Sequence, residues 1–462
     1  PATARAESGL PTPVARVAAA LGVPAENISL WAQAIGAEAP LAQHLPDTPR
    51  NPASVLKLVA TFAALQELNP AYRWRTEVHA LGPIENEVLK GELLIRGTGD
   101  PFLVTEDFWS LLGGLRRTGL RRIEGGLVFD ISHFDLPPED PGRFDNQPDR
   151  VYNLVPHPLL INFNAMRFEF QPGGDGQSVR VVTAPELPNV SVANRLRLRP
   201  GACGGYQRGV ALNVRNETRN EVLLEGDFPS TCSVYGMTRS VLQPESYAFG
   251  LFDLYWSQLG GSREGSWRIG ELAQLGQRAG RPLYVHESRP LGEIVRMVNK
   301  YSNNVMTRHL ELTLGAERFG APATTEKGRR AIMEILAENR IDTQGMVLDN
   351  IAGLSRDARI SAHQVGQLLA RAWDAPIMPE FVSSLALTGL DGTVQRRFRN
   401  HPAQGRMHLK TGTLDDVSGI AGYVHTRDNR RLAVVMLVNS PNAHRGPGEE
   451  LQNALLEWAF RQ

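Results

Sequence analysis

Arg406-Met407-His408-Leu409-Lys410-Thr411, Gly419-Ile420-Ala421-Gly422-Tyr423-Val424-His425-Thr426 and Arg431-Leu432-Ala433-Val434-Val435-Met436-Leu437-Val438 read as three consecutive strands. A helix, Glu449 to Arg461, follows Gly446-Pro447-Gly448. Ahead of the strands lie helical stretches at Leu242 to Leu259, Leu291 to Gly315, Glu326 to Asn339 and Ala362 to Ala375. The other end of the chain has the same texture. Val14 to Leu21 reads as a helix, Gly22-Val23-Pro24 breaks it, and Asn27 to Trp31 is strand-like. Asn51-Pro52-Ala53 then stops the chain and restarts it as a helix from Ser54 to Leu68, with Leu58, Phe62 and Leu65 near one face. A sheet near the C-terminus, flanked by helices from both ends, implies a discontinuous main domain of mixed α/β (α+β) class.

The middle of the chain differs. Short β-like runs appear at Arg75 to Leu81, Gly91 to Arg96 and Gly126 to Phe129, with one helix at Phe108 to Thr118. Five more follow: Arg167 to Gln171, Ser178 to Thr183, Val190 to Leu198, Gly209 to Val214 and Val222 to Gly226. That stretch, from about Arg167 to Met237, reads as an all-β insert.

A length of 462 residues suggests two to four domains. Charges balance, 49 basic against 49 acidic, so no electrostatic footprint for nucleic acid exists. No apolar run approaches the roughly 18–20 residues that span a bilayer, so no transmembrane segment is expected. The opening Pro1-Ala2-Thr3-Ala4-Arg5-Ala6-Glu7-Ser8 resembles a tail left by a removed signal peptide. Cys203 and Cys232 lie in turn-rich sequence, outside any CxxC, and no histidine spacing points to a metal. They are either two buried thiols or one disulfide formed in an oxidising compartment.

Lysine is scarce. The chain has 44 arginines and five lysines, at 57, 90, 300, 327 and 410. Arginine stays protonated in proteins, whereas a desolvated lysine can lose its proton. Positions that keep lysine are therefore candidates for proton transfer. Ser54 and Lys57 sit three residues apart at a helix start, which puts them on one face. The helix N-terminus favours negative charge on an activated serine, and burial lowers the lysine pKa. Read alone, the pair is equally a serine N-cap and a lysine reaching out to solvent. Ser302-Asn303-Asn304 precedes a helix and reads alone as an N-cap; Lys300 flanks it. Lys410-Thr411-Gly412 ends the first of the three strands, where a glycine permits close backbone approach. No GxSxG elbow, phosphate loop or histidine-based triad competes.

Ser-x-x-Lys, Ser-x-Asn and Lys-Thr-Gly in that order form the signature of penicillin-binding proteins and class A β-lactamases. The chain thus resembles the serine D,D-peptidases. The gap from Ser54 to Ser302 is more than twice that from Ser302 to Lys410. Such a long first gap is similar to the class C low-molecular-mass penicillin-binding proteins, the D-alanyl-D-alanine carboxypeptidase/endopeptidase family of DacB or penicillin-binding protein 4 type (peptidase family S13). Further segments resemble that family: Leu93-Leu94-Ile95-Arg96 into Gly97-Thr98-Gly99-Asp100-Pro101, Ile123 to Asp130, Ser288-Arg289-Pro290-Leu291, Leu390-Asp391-Gly392-Thr393, and Lys410 to Leu414 with Ala421-Gly422-Tyr423-Val424. One departure is Asn350-Ile351-Ala352-Gly353-Leu354-Ser355-Arg356, where the family has Gly-Ser before Gly-Leu-Ser-Arg.

The resemblance implies a transpeptidase-like catalytic domain over 1–76 and 284–462, an inserted domain over 77–166 and 242–283, and a β-rich domain, 167–241, nested in it. It implies cleavage of D-Ala-D-Ala and of D-Ala-diaminopimelate cross-links through an acyl-Ser54 ester, with no cofactor. Ser54 attacks, Lys57 takes its proton, Ser302 relays a proton to the leaving amine, and Lys410 sets the electrostatics. Asn304 holds Lys57 and the substrate's acylamide. Thr411, Gly412 and Thr413 flank the substrate carboxylate, and the N–H groups of Ser54 and Thr413 form the oxyanion hole. Leu354 and Arg356 are cleft residues; for Arg356 a surface ion pair is the alternative. Asp145, in Phe144-Asp145-Asn146-Gln147-Pro148, resembles the family aspartate that binds the diamino acid's amine, although Phe replaces Trp. Its alternative is an ordinary turn aspartate. Partners would be peptidoglycan stem peptides and β-lactam antibiotics, in the periplasm or otherwise outside the cytoplasm. The rival readings are a β-lactamase, disfavoured by the long insert and by the lack of a Glu-x-x-Leu-Asn segment, and a non-catalytic peptidoglycan-binding relative.

Overall fold

A computed structural model describes residues 7–204, 209–215 and 220–462. The tail expected at the N-terminus lies, through residue 6, outside the described residues. The chain packs as two compact units, Pro1–Arg73 with Arg289–Gln462, and Trp74–Ser288.

The first unit is built on a sheet of β1 (Glu7–Ser8), β2 (Ile28–Ala34), β3 (Ala42–His44), β4 (Ala386–Leu387), β5 (Met407–Leu414), β6 (Val417–His425) and β7 (Arg431–Asn439). Their spatial order is β1-β3-β2-β7-β6-β5-β4, antiparallel except for β1 beside β3. Its helices are α1 (Thr12–Leu21), α2 (Lys57–Leu68), α3 (Leu291–Tyr301), α4 (Asn304–Phe319), α5 (Thr325–Glu338), α6 (Ala362–Asp374), α7 (Met378–Ser384) and α8 (Pro447–Phe460).

β7 is apolar without alternation because both sheet faces are covered. Its Leu432, Val434, Met436 and Val438 join Val14 and Ala18 of α1 and Leu451, Leu455 and Ala459 of α8 in one core. Leu451, Leu455 and Ala459 recur every four residues, the spacing of one helix face. On the other sheet face α6 is tied down by Tyr423, whose hydroxyl donates to the Leu369 carbonyl at 2.7 Å. The three C-terminal strands and the helices from both ends of the chain thus share one body, the discontinuous α/β unit expected.

Two local expectations change. α2 is not one-sided: every residue from Lys57 to Leu65 is buried, with α3, α4 and α5 packed around it. A helix apolar all round belongs inside a domain. The helical stretch expected from Leu291 to Gly315 is two helices. Ser302 turns left-handed at φ 58°, ψ 41°, and Asn303 caps α4 by accepting from the Met306 N–H at 3.0 Å. Asn303, and not Ser302, is therefore the cap.

The second unit holds a five-stranded sheet in the order Trp267–Ile269, Leu127–Asp130, Glu92–Arg96, Arg75–Leu81, Tyr284–Glu287. The expected all-β stretch forms two three-stranded sheets. Met166–Pro172 pairs with Val179–Ala184 and Tyr235–Arg239, and Glu221–Pro229 with Ser191–Arg199 and Val210–Arg215. Tyr235–Arg239 was not foreseen as a strand; it holds only one residue fully inside the core, Met237. Cys203 and Cys232 form a disulfide, which excludes the two-thiol alternative. Closing a loop of this length is worth roughly 3 kcal/mol in the chain-entropy model. Among the described residues no helix is long and apolar enough to cross a membrane.

Candidate active site

Ser54 lies in a 3-10 turn, Ala53–Leu56, that runs straight into α2, with Lys57 as the first α-helical residue. The turn is tightly held. Ala53 adopts φ 46°, a conformation that L residues take at a cost and that clusters at functional sites. Asn51 secures it: its side-chain oxygen accepts from the Ala53 N–H at 2.9 Å, and its amide donates to the Ser355 carbonyl at 2.8 Å. Asn439, at the end of β7, accepts from the Asn51 N–H and donates back to the Asn51 carbonyl. Two glycines close on the same turn. A Cβ at Gly412 would lie 2.5 Å from the Pro52 carbonyl oxygen, and one at Gly353 2.0 Å from that of Ala53. Both positions need glycine for lack of space, and Gly353, at φ 78°, for conformation as well.

Lys57 is fully buried and does not reach solvent. Its Nζ lies 2.8 Å from Ser54 Oγ and 2.8 Å from Asn304 Oδ1, and it also bonds the Ala352 carbonyl. Ser54 makes no cap hydrogen bond to the helix. Burial first, and the charge of Lys410 second, hold the Lys57 ammonium well below the usual lysine range. Lys410, buried on β5, donates to Ser302 Oγ at 2.9 Å and to the Thr411 carbonyl at 2.7 Å. Burial lowers its pKa to about 7. The left-handed turn at Ser302 is what lets the residue between α3 and α4 meet β5.

These contacts bring Ser54, Lys57 and Asn304 together, and Ser302 with Lys410; the charge of Lys410 on Lys57 links the two groups. Gly412 packs on the Ser54 turn, with its two threonine neighbours on the same strand. Thr411 Oγ1 donates to Thr393 Oγ1 at 2.7 Å, and Thr413 is exposed. Leu354 is half-buried in the loop that carries Ala352. Arg356, about half exposed, pairs with Asp415 at 3.0 Å, the surface ion pair that was its alternative. Asp145 belongs to the second unit and shapes a turn: it accepts from the Gln147 N–H, the Tyr152 hydroxyl and the Asn153 amide. Burial pushes its carboxyl up, but those hydrogen bonds outweigh it and lower the pKa.

Several residues of this site carried no sequence signal. The Ala352 carbonyl acts through backbone, so its residue type is silent. Asn51 read only as a break, and Asn439 as the end of a strand. Lys300 read as a flank, yet its buried ammonium pairs with Asp391 at 2.6 Å and donates to the Leu385 carbonyl at 2.8 Å. Among the described residues no group of three or more His, Cys, Asp or Glu is placed to hold a metal ion.

Known proteins resemble this chain in sequence and fold. The model of the D-Ala-D-Ala carboxypeptidase 3 (S13) family matches residues 13–462. A D-alanyl-D-alanine carboxypeptidase of Actinomadura sp. (strain R39) is 28% identical over 409 residues, 86% of this chain and 74% of the relative. D-alanyl-D-alanine carboxypeptidase DacB of Haemophilus influenzae is 24% identical over 416 residues, 89% of this chain and 85% of the relative. The crystal structure of that organism's penicillin binding protein 4 (dacB) matches with a TM-score of 0.81 at 23% identity, covering 97% of this chain and 99% of that one. In complex with a β-lactam it matches with a TM-score of 0.78. With a family match over nearly its whole length, this chain belongs to the D-Ala-D-Ala carboxypeptidase 3 (S13) family of serine-type carboxypeptidases.

Proposed function

We propose that the chain cleaves D-Ala-D-Ala ends of peptidoglycan stem peptides, and D-Ala-diaminopimelate cross-links, through an acyl-Ser54 intermediate, and that β-lactams trap that intermediate. The observation that carries this reading is the hydrogen-bond set of Lys57. A neutral amine has two N–H bonds and one lone pair. Asn304 Oδ1 and the Ala352 carbonyl take the two N–H bonds, which leaves the lone pair for the hydroxyl of Ser54. Burial first, and the charge of Lys410 second, lower the Lys57 pKa, which favours the neutral amine that a general base requires.

Ser54 Oγ attacks the D-Ala carbonyl as its proton passes to Lys57 Nζ. The tetrahedral oxyanion sits against the N–H groups of Ser54 and Thr413. Collapse breaks the C–N bond, and the proton that Lys57 took from Ser54 is relayed through Ser302 to the leaving amine, in the field of Lys410. Water then adds to the ester and releases Ser54. A β-lactam follows the same first step, but its opened ring remains attached, so the acyl enzyme persists.

Asn304 also orients the substrate's acylamide in this reading, and Thr411 and Thr413 bind its terminal carboxylate. Leu354 and Arg356 border the cleft through their shared loop in this reading, and Arg356 also pairs with Asp415. The Asp145 carboxylate is proposed to receive the free amine of the diamino acid, on the strength of the family resemblance. The same resemblance divides the second unit into residues 77–166 with 242–283 and a nested 167–241. The proposed substrate class and the Cys203–Cys232 disulfide support a location outside the cytoplasm, in the periplasm.

The test is release of D-alanine from an N-acylated peptide ending in D-Ala-D-Ala, and of monomers from a cross-linked muropeptide dimer. Wild type should release both products and Ser54→Ala neither. No product from wild type would refute the reading. Rapid turnover of nitrocefin would replace it with a β-lactamase.

A further inference from the structure

Thr393 stands outside the three motifs, yet it is bonded into the third. Its Oγ1 accepts from Thr411 Oγ1 at 2.7 Å. A threonine hydroxyl has one hydrogen to give and can accept two. Their mutual bond uses one of the pair's two hydroxyl hydrogens, which leaves one to offer a ligand, and Thr393 is the more exposed of the two. That side chain is exposed, and Thr411 is its one hydrogen-bond partner among the described residues.

Its position is imposed from inside the fold. Lys300 Nζ pairs with Asp391 Oδ2 at 2.6 Å, and Asp391 Oδ1 accepts from the Leu387 N–H at 2.8 Å. Gly392 follows at φ 58°, where an added Cβ would lie 2.7 Å from the Lys300 carbonyl oxygen. Only glycine lets the chain turn there against α3. The next residue is Thr393, in the short 3-10 turn Gly392–Val394. An ion pair two residues before Ser302 thus sets the hydroxyl that meets Thr411.

The surroundings favour an anion. Thr393, Thr411 and Thr413 line one cavity of about 270 Å³ together with Arg397. Arg397 is 8% exposed, and its guanidinium bonds only the neutral side-chain oxygens of Gln452 and Asn453. Among the described residues no carboxylate forms an ion pair with it; Glu449, also on the cavity wall, acts on it electrostatically. A buried guanidinium that Glu449 offsets only without direct contact leaves part of its positive field in that cavity.

We propose that Thr393 gives the substrate's terminal carboxylate the one hydroxyl hydrogen that the Thr393–Thr411 bond leaves free, beside Thr413, and that the Lys300–Asp391 pair positions it. This rests on the carboxypeptidase reading above. Thr393 is then a specificity-determining residue, and Lys300 and Asp391 are positioning residues.

The test compares acylation of Ser54 by benzylpenicillin and by its carboxyl methyl ester, followed by mass spectrometry. Thr393→Val should slow the acid about tenfold or more, the scale of one hydrogen bond to a charged group, and leave the ester rate within about twofold. Thr393→Ser, which keeps the hydroxyl, should retain the acid rate within about threefold. Because the residue is exposed, both variants should melt with wild type. An unchanged acid-to-ester ratio in Thr393→Val, or equal impairment in Thr393→Ser, overturns the proposal and leaves the functional reading standing. Wild type acylated by neither compound overturns the functional reading, and this proposal with it.

Discussion

Gly412→Ala tests how the third motif serves the first. The new methyl carbon would lie 2.5 Å from the Pro52 carbonyl oxygen, 2.8 Å from the Ser54 nitrogen and 2.9 Å from the Val55 nitrogen. All three are backbone atoms, so no side-chain rotation relieves the contact. Ordinary van der Waals contact begins near 3.4 Å, so the turn must retreat from β5 by about 0.9 Å. Ala53 at φ 46° and the double hydrogen bond between Asn51 and Asn439 resist that shift. Overpacking of this kind costs about 1–3 kcal/mol. The larger effect falls on chemistry. The Ser54–Lys57 contact is 2.8 Å, and a displacement of about 1 Å at a reacting atom costs on the order of 100-fold in rate. The assay is the second-order rate of Ser54 acylation by fluorescent penicillin, with thermal melting to confirm the fold. Gly113→Ala serves as control, because its nearest neighbour is 3.6 Å away, at a flexible arginine tip. A folded Gly412→Ala protein that acylates within about threefold of wild type would refute the reasoning.

Lys410 binds its proton with a pKa near 7 in the fold against 10.5 in the unfolded chain, so unfolding takes up a proton between those values. Its contribution to stability is full above 10.5 and is lost as pH falls to 7. Lys410→Met should flatten the rise of unfolding free energy from pH 7 to 9 by about 1 kcal/mol per pH unit. An unaltered slope in urea titrations would show that the ammonium is not desolvated. The same variant removes the charge that lowers Lys57, so the acid limb of its residual acylation should move to higher pH; a limb that stays or moves down contradicts the coupling. Asp391→Asn leaves the Lys300 ammonium, 6% exposed, without a counter-charge. Because Asp391 is itself one-third exposed, the loss should be about 2 kcal/mol, less than for a fully buried pair, and a melting temperature within a degree of wild type would contradict it. Replacing Cys203 and Cys232 by alanine should lower the stability of the second unit by about 3 kcal/mol, read as its own step in denaturant unfolding. An unshifted step would show that the closed loop is not what limits that unit.

The sequence carried the parts of this molecule that depend on local chemistry. Alternating or continuous apolar runs marked the strands from Met407 to Asn439, and the scarcity of lysine drew the eye to Lys57 and Lys410. What stayed hidden depends on contacts far apart in the chain. Whether Lys57 reaches solvent or is buried is decided by three helices packed around α2, not by its neighbours in sequence. The break at Ser302 showed in the sequence only as the cap-like Ser302-Asn303-Asn304, and the left-handed turn stayed hidden because it serves the meeting with Lys410. Lys300 read as a flank because its partner, Asp391, is far along the chain. Ala352, Asn51 and Asn439 act through backbone groups or amides, which leave no pattern of residue type.

The central claim is that Ser54 is the nucleophile. Mass spectrometry of the protein after benzylpenicillin treatment tests it most directly. The account predicts a single penicilloyl adduct, mapped to the peptide that carries Ser54 and absent from Ser54→Ala. No adduct on wild type, or an adduct that persists in Ser54→Ala, would contradict it.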